Sequence, residues 1–240
     1  MNLNDKICVS ILAGGLSSRM GGGIKTFKTF NNKTIFERIF SKLNNQSKNI
    51  IVNTNEDHNL FSDYKATIVK DVFTDRIGPL GGLHASLKWL NSNRKNIDWL
   101  VSVPADTPFL PNNLVERLFK ETIKNRNKIV MAKSNGKIHP IVGIWHSSLL
   151  KSLENDINLG TRKILNWAQK YSIGYVEFSN KIQDRGFFSK IFRRSEQKAS
   201  FIINIEKIND DRCSVTVVSE SELGSIMERD LLSEINQSLS

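Results

Sequence analysis

Short apolar runs that alternate with helical patterns are the feature that most limits how this chain can fold. The runs predict strands at Ile7 to Leu12, Ile50 to Val52, Thr67 to Val69, Trp99 to Val103 and Lys128 to Met131. Between them, apolar residues recur at helical spacing in Ile35-Ile39-Leu43, Leu83-Leu87-Leu90 and Leu114-Leu118. This alternation predicts an α/β fold, a Rossmann-like, doubly wound and mostly parallel sheet with helices on both faces.

The second half of the chain has a less regular pattern. It predicts strands at Ile138 to Trp145, Tyr175 to Phe178, Phe201 to Ile203 and Ser214 to Val218, and helices through Leu149 and Leu153, from Thr161 to Ala168, and through Leu223 and Leu231. Residues 180–200 are rich in Lys and Arg and predict a basic loop, whereas the balance turns acidic from Glu206 onward. We therefore expect a main domain over residues 1–205 and an acidic extension over 206–240.

Composition limits which cellular compartment and which binding partners can be expected for this chain. The formal net charge of +10 would suit any polyanion, but no zinc-finger spacing or aromatic-rich basic strand favours nucleic acid. Only Cys8 and Cys213 are present, and Cys8 lies in an apolar run, which argues against a disulfide framework. No apolar stretch near the N-terminus has the length of a secretory or membrane segment. We expect a cytoplasmic protein, a monomer or weak oligomer, with no nucleic-acid or membrane partner.

The segment from Leu12 to Lys25 carries the strongest chemical signal. It follows the first predicted strand and contains five glycines together with Arg19 and Lys25. Glycines let backbone N–H groups approach phosphate oxygens, and the two cations can neutralise the phosphate charge. The segment lacks both the Walker spacing and a G-x-G-x-x-G pattern, so the common kinase and dehydrogenase loops do not fit. It predicts a triphosphate-binding loop of another kind.

This segment resembles a known family. Its pattern L-A-G-G-x-S-x-R-M-G-x(2)-x-K is similar to the opening signature of the molybdenum cofactor guanylyltransferases, which are related to cytidylyl- and sugar-phosphate nucleotidyltransferases. The family has an acidic residue just before the lysine, where this chain has Ile24. The following Lys25 is kept.

Further blocks continue the resemblance in the family's order from about Ile7 to Asn204. They are Gly78-Pro79-Leu80-Gly81-Gly82, Pro104-Ala105-Asp106-Thr107-Pro108, His139-Pro140 with Gly143-Ile144-Trp145, Gly160-Thr161-Arg162, and Asn204-Ile205. The last block departs from the family's N-I-N because Glu206 takes the place of the second Asn. Residues 1–205 are accordingly expected to form a nucleotidyltransferase domain.

The resemblance implies transfer of GMP from GTP to the phosphate of molybdopterin-type molybdenum cofactor, with release of pyrophosphate. The GTP-binding residues that it implies are Leu12, Ala13, Gly14, Gly15, Lys25, Asn53, Asp71 and Asp106. Lys25, Arg19 and Asp106 are the expected catalytic residues, and Asp106 is the expected Mg²⁺ ligand because it follows a strand and offers carboxylate oxygens. A phosphate monoester is already anionic, so no strong base is needed.

Several alternatives stay open at this point. A cytidylyl- or sugar-phosphate nucleotidyltransferase differs in nucleotide preference, for which L-A-G-G rather than L-A-A-G is a single-residue hint towards GTP. A nucleotide-binding partner without catalysis is a third reading, and molybdoenzymes or their chaperones are candidate partners. His139 is either a cofactor-pocket residue or a turn cap, and His84 reads as a packing residue. Arg162, Lys163 and the basic loop are candidates for the acceptor phosphate.

Overall fold

The structure is a computed structural model that describes residues 6–14, 27, 33–75, 77–108 and 110–178, together with the backbone of residues 29–30, 201–209 and 212–219. The chain divides into two compact units, Met1–Phe178 and Ser179–Ser240. In the second unit, the antiparallel strands Phe201–Asn209 and Arg212–Ser219 pair with each other. The predicted basic loop and the helix through Leu223 and Leu231 lie outside the described residues, and the predicted division at residue 205 stays a prediction.

A mixed sheet of seven strands forms the centre of the first unit. Its strands are β1 (Ile7–Leu12), β4 (Ile50–Asn53), β5 (Thr67–Val69), β6 (Trp99–Pro104), β7 (Ile129–Ser134), β8 (Lys137–His146) and β9 (Ile173–Glu177), while β2 (Thr29–Phe30) and β3 (Lys33–Thr34) form a separate short hairpin. The strand order in the sheet is β5-β4-β1-β6-β8-β7-β9. Neighbours pair in parallel except at β8, which is antiparallel to both β6 and β7.

Helices cover both faces of this sheet. They are α1 (Ile35–Asn44), α2 (Pro79–Asn93), α3 (Leu114–Asn125), α4 (Leu150–Asn158) and α5 (Ile164–Ala168). Helices α1 and α3 share one buried apolar cluster with the sheet, and α2, α4 and α5 share the other. The predicted doubly wound, mostly parallel α/β fold is confirmed. Among the described helices, none is both long and apolar enough to span a membrane.

The reversal of β8 has a local cause at the turn between β7 and β8. Asn135 and Gly136 both have positive φ, at 48° and 73°, which is the backbone of the tight turns that join antiparallel strands. The Asn-Gly pair is a sequence signal for such a hairpin. The strand was predicted from its apolar residues, but those residues do not encode its direction.

Helix α2 begins at the Gly78-Pro79 pair for two physical reasons. Gly78 precedes the helix with φ 69° and ψ −154°, a conformation that strains any residue with a Cβ atom. Pro79 then occupies the first turn, where its fixed φ suits a helix and its missing N–H is not needed. This pair fixes where α2 starts relative to the sheet.

Candidate active site

Three strand ends of the first unit are joined at one edge of the sheet by backbone hydrogen bonds. Ala13 N–H donates to Asn53 O at 2.8 Å, and Ala105 N–H donates to Leu12 O at 3.0 Å. The chain leaves β1 towards β4 on one side and returns to β6 on the other, so the carboxyl end of β1 is the topological switch point of the sheet. Ligands of open α/β sheets bind at such a point. The predicted nucleotide residues Leu12, Asn53 and Asp106 therefore belong to one edge.

Asn53 and Asp71 are held together by a side-chain hydrogen bond. The buried Asn53 Nδ2 donates to Asp71 Oδ1 at 2.9 Å and to Val69 O at 3.2 Å. Asn55 Nδ2 donates to the other carboxylate oxygen, Asp71 Oδ2, at 2.9 Å, while Asp71 N–H donates back to Asn55 Oδ1 at 3.0 Å. Both amide hydrogens of Asn53 are thus in use, and its remaining polar atom is the acceptor Oδ1.

The surroundings of Asn53 Oδ1 are glycines. A Cβ atom added to Gly82 on α2 would overlap with Asn53 Oδ1, and one added to Gly14 would lie 3.8 Å from the same oxygen. Gly82 is therefore in direct contact with the Asn53 amide, and no larger residue fits without moving it. The site gains an acceptor of fixed direction next to the start of the predicted triphosphate loop.

Asp106 lies in the turn that follows β6, as predicted. Its side chain is exposed, and Thr107 Oγ1 donates to Asp106 Oδ1 at 3.4 Å. The preceding residue, Ala105, is the one bonded to Leu12 O, so the turn is fixed to the end of β1. An exposed carboxylate at the ligand-binding edge is a suitable oxygen donor for a hard cation.

The predicted loop residues Gly15, Arg19 and Lys25, together with Ile24, lie outside the described residues. The described residues that flank them are Gly14 and Phe27. Gly14 is exposed beside Asn53, and Phe27 packs on Phe36 of α1 and on Phe61, with ring centroids 5.9 and 5.2 Å apart. The residue before the loop thus lies beside Asn53, and Phe27 after it packs into the aromatic cluster of α1.

His84 is fully buried on α2, which confirms that it faces the core. Glu154 Oε1 on α4 lies 3.7 Å from His84 Nε2, which is too far for a hydrogen bond. Phe73 packs on the imidazole ring, with ring centroids 4.8 Å apart. Neither ring nitrogen has a hydrogen-bond partner among the described residues. Burial lowers the pKa of His84, and the Glu154 carboxylate opposes this only in part. The imidazole is held neutral in the core.

The structure shows hydrogen-bond partners for His139 and Arg162, whose roles the sequence left open. His139 is buried, and its Nε2 lies 2.6 Å from Ser134 Oγ across the β7–β8 hairpin. The Arg162 guanidinium donates to Ile157 O at 2.9 Å and to Thr161 O at 3.0 Å. Arg162 thus satisfies carbonyls at the end of α4, as cationic residues commonly do there. Its fork has further donors, so an acceptor phosphate stays a prediction.

Sequence reasoning missed Asn55, and it placed Gly82 only within a family block. The Asn55 link to Asp71 had a sequence signal, an Asn close behind a strand end that was already assigned to the site. The Gly82 contact had none, because it depends on how α2 packs against β4. Both residues belong to the surroundings of Asn53.

Comparisons with known proteins identify the family of this chain. Residues 9–172 match the MobA-like NTP transferase domain. The molybdenum cofactor guanylyltransferase of Nitrobacter hamburgensis is 37% identical over 178 residues, 74% of this chain and 85% of that protein. The enzyme of the same name from a Bradyrhizobium species is 34% identical, covering 69% and 79%. The crystal structure of molybdopterin-guanine dinucleotide biosynthesis protein A from Archaeoglobus fulgidus has a TM-score of 0.57 at 24% identity, covering 79% and 87%.

The doubly wound fold, together with the domain match over residues 9–172, identifies a nucleotidyltransferase. The domain match spans most of the chain and the relatives exceed 30% identity. The chain belongs to the MobA-like NTP transferase family, and the resemblance to molybdenum cofactor guanylyltransferases is confirmed.

Proposed function

We propose that this chain transfers GMP from GTP to the phosphate of molybdopterin-type molybdenum cofactor, producing its guanine dinucleotide form. The observation that supports it most is the Asn53–Asp71 pair beside Gly14, at the switch point of a fold whose relatives carry this activity in their names. An oxygen of the acceptor phosphate attacks the α-phosphorus of GTP. The bond between the α-phosphorus and the bridging oxygen breaks, and pyrophosphate leaves.

The polarity of the Asn53 site favours guanine. Its Oδ1 is an acceptor of fixed direction, and the Asp71 carboxylate adds acceptor lone pairs beyond those used by Asn53 and Asn55. Guanine presents N1–H and the 2-amino group side by side as donors. Adenine and cytosine instead present an amino group beside an acceptor nitrogen, which would face these acceptors unpaired. A polar group left unpaired in this way costs binding free energy.

Mg²⁺ is the metal that we assign to the reaction, within a family that generally uses a divalent ion. The exposed Asp106 carboxylate fits it, because Mg²⁺ is bound by one or two protein carboxylates together with substrate phosphates and water. When bound, the ion would supply positive charge to the phosphates. The chain's own part is to hold the carboxylate at the sheet edge through the Ala105–Leu12 hydrogen bond.

The remaining groups of the proposal act by position and charge. Lys25 and Arg19 are proposed to stabilise the charge on the phosphates, and Gly15 to bind the nucleotide through its backbone. Phosphoryl transfer needs little more than alignment and electrostatic stabilisation. We further propose a cytoplasmic monomer or weak oligomer that passes its product to molybdoenzymes or their chaperones.

Pyrophosphate release tests the proposed function directly. The full chain is incubated with molybdenum cofactor, Mg²⁺ and one of GTP, CTP, UTP or ATP. We expect release with GTP that depends on the cofactor. Exclusive use of CTP would identify a cytidylyltransferase instead, and nucleotide binding without any release would identify a non-catalytic partner.

A further inference from the structure

Two buried serines connect the Asn53 site to the centre of the sheet. Ser10 on β1 and Ser86 on α2 are both fully buried, and their Oγ atoms lie 2.7 Å apart. Ser86 Oγ also donates to Gly82 O at 2.7 Å. Because a hydroxyl has one hydrogen, Ser86 uses it for Gly82, and Ser10 then donates to Ser86.

This chain of hydrogen bonds ends at Gly82 O, and Gly82 packs against the oxygen that we propose to recognise guanine. Gly82 lies in direct contact with Asn53 Oδ1, and the opposite end of the Asn53 amide is fixed by Val69 O and Asp71. The position of the oxygen therefore depends on where the first turns of α2 lie relative to β1. The Ser10–Ser86–Gly82 chain is a direct polar link between them.

Stability alone gives little reason for these hydroxyls. A serine that bonds to the carbonyl four residues earlier slightly destabilises and bends a helix. Replacing both partners of a buried hydrogen bond by apolar groups is often nearly neutral. Alanine also has the higher helix propensity at Ser86. The Ser10–Ser86 pair therefore contributes little to folding. Because it holds Gly82 against Asn53, its expected effect is on nucleotide binding.

We propose that Ser86 and Ser10 are positioning residues that set the nucleotide selectivity of the enzyme through Gly82 and Asn53. The inference rests on the proposed function. Neither serine is proposed to touch the nucleotide. Their hydroxyls hold α2 at the distance from β1 that aims Asn53 Oδ1 at the donors of guanine.

Selectivity between GTP and ITP is the readout, because ITP lacks the 2-amino donor but is otherwise the same ligand. The variants are Ser86→Ala, Ser10→Ala and the double variant, assayed with molybdenum cofactor and Mg²⁺. We expect the ratio of kcat/KM for GTP to that for ITP to fall by about tenfold in Ser86→Ala and in the double variant. The double variant, which leaves no hydroxyl unpaired, should melt close to the unmodified chain.

Ser102→Ala is the matched control. Ser102 is the register partner of Ser10 on the adjacent strand β6, is equally buried, and accepts a hydrogen bond from Trp145 Nε1 at 2.8 Å while donating to Ile141 O. It has no bond to Ser86 or Gly82 among those observed. Its loss should lower the melting temperature and leave the GTP to ITP ratio within about twofold, because selectivity does not pass through it.

The outcomes separate the two proposals. Failure of the unmodified chain to consume GTP with molybdenum cofactor overturns the proposed function and this inference with it. GTP consumption with an unchanged GTP to ITP ratio in the Ser86→Ala and double variants overturns the inference alone. An equal fall of the ratio in Ser102→Ala would also overturn it, since any loss of core packing would then suffice.

Discussion

Asn53 Nδ2 donates to Asp71 Oδ1 over 2.9 Å and thereby joins the residues at the ends of the parallel strands β4 and β5. This bond helps to fix the orientation of the Asn53 amide. With two acceptors, Val69 O and Asp71 Oδ1, on one side, the Asn53 nitrogen has to point there. The amide oxygen takes part in neither bond, and it is the atom that we propose to face the nucleotide. In that proposal, the pairing of two strand ends sets the specificity of the site.

Asn53→Ala should weaken GTP use while Asn55→Ala should not. The first change removes the aimed acceptor and leaves Asp71 without its buried partner, and we expect kcat/KM for GTP to fall about ten- to a hundredfold. Asn55 bonds to the same carboxylate but is exposed, so its loss should change kcat/KM by less than about threefold. Steady-state pyrophosphate release measures both. Equal losses in the two variants would show that Asp71, not Asn53, is the recognition group.

Gly82→Ala should lower GTP selectivity through contact with Asn53. The added methyl group has to displace the Asn53 amide oxygen, and we expect the ratio of kcat/KM for GTP to that for ITP to fall about tenfold or more. Gly81→Ala is the matched control on the same helix, where a Cβ atom would lie 2.9 Å from Ile77 Cβ and remote from Asn53. It should affect the melting temperature and leave nucleotide preference unchanged. A change of preference in Gly81→Ala would point to a general shift of α2.

Asp106→Asn should abolish most of the activity without unfolding the chain. The amide keeps the shape of the side chain but loses the charge that we propose to bind the metal, so we expect kcat to fall about a hundredfold or more. The side chain is exposed, so the melting temperature should stay within about 2 °C. Asp98→Asn is the control, because Asp98 lies directly before β6, at the other end of the strand that Asp106 follows. Full activity of Asp106→Asn would remove the metal assignment.

The sequence predicts the strands of the fold more closely than the contacts of the site. β1 begins and ends where its apolar run does, because a strand buried on both faces is a nearly continuous apolar run. The edge strand β5 also has its predicted bounds, although only Val69 in it is buried. The helix predicted from Thr161 begins only at Ile164, because Thr161 and Arg162 are bonded to the end of α4 instead. The periodic pattern marks apolar faces and contains no information about such end contacts.

In the candidate site, too, some features could be predicted from the sequence and others could not. Asp106 could be placed from sequence, because it follows a strand whose carboxyl end lies at the ligand-binding edge. Asn53, the last residue of β4, was implied only by the family resemblance. The contact of Gly82 with Asn53, and the link from Gly82 to Ser86 and Ser10, depend on the packing of α2 on β1 and β4. No spacing in the sequence specifies that packing. These contacts needed the structure.

His84 should make the chain lose stability on mild acidification. Burial lowers the pKa of His84 in the folded state, against about 6.5 when unfolded. Between these two values the unfolded chain binds more protons, so the free energy of unfolding falls as the pH drops below about 6.5. The change ends once the pH has passed the folded-state value.

The test compares the melting temperatures of the unmodified chain and of His84→Leu at pH 7.5 and pH 5.5. Leucine has a similar volume and removes two buried nitrogens that lack partners, so the variant should be at least as stable at pH 7.5. Its loss on acidification should be smaller, because the titrating group is gone. His58→Gln, which removes an exposed imidazole, should keep the full pH effect. If His84→Leu loses as much as the unmodified chain, another group carries the acid sensitivity. His146 would be the next to replace, because burial lowers its pKa as well and its acid loss would then have the same sign.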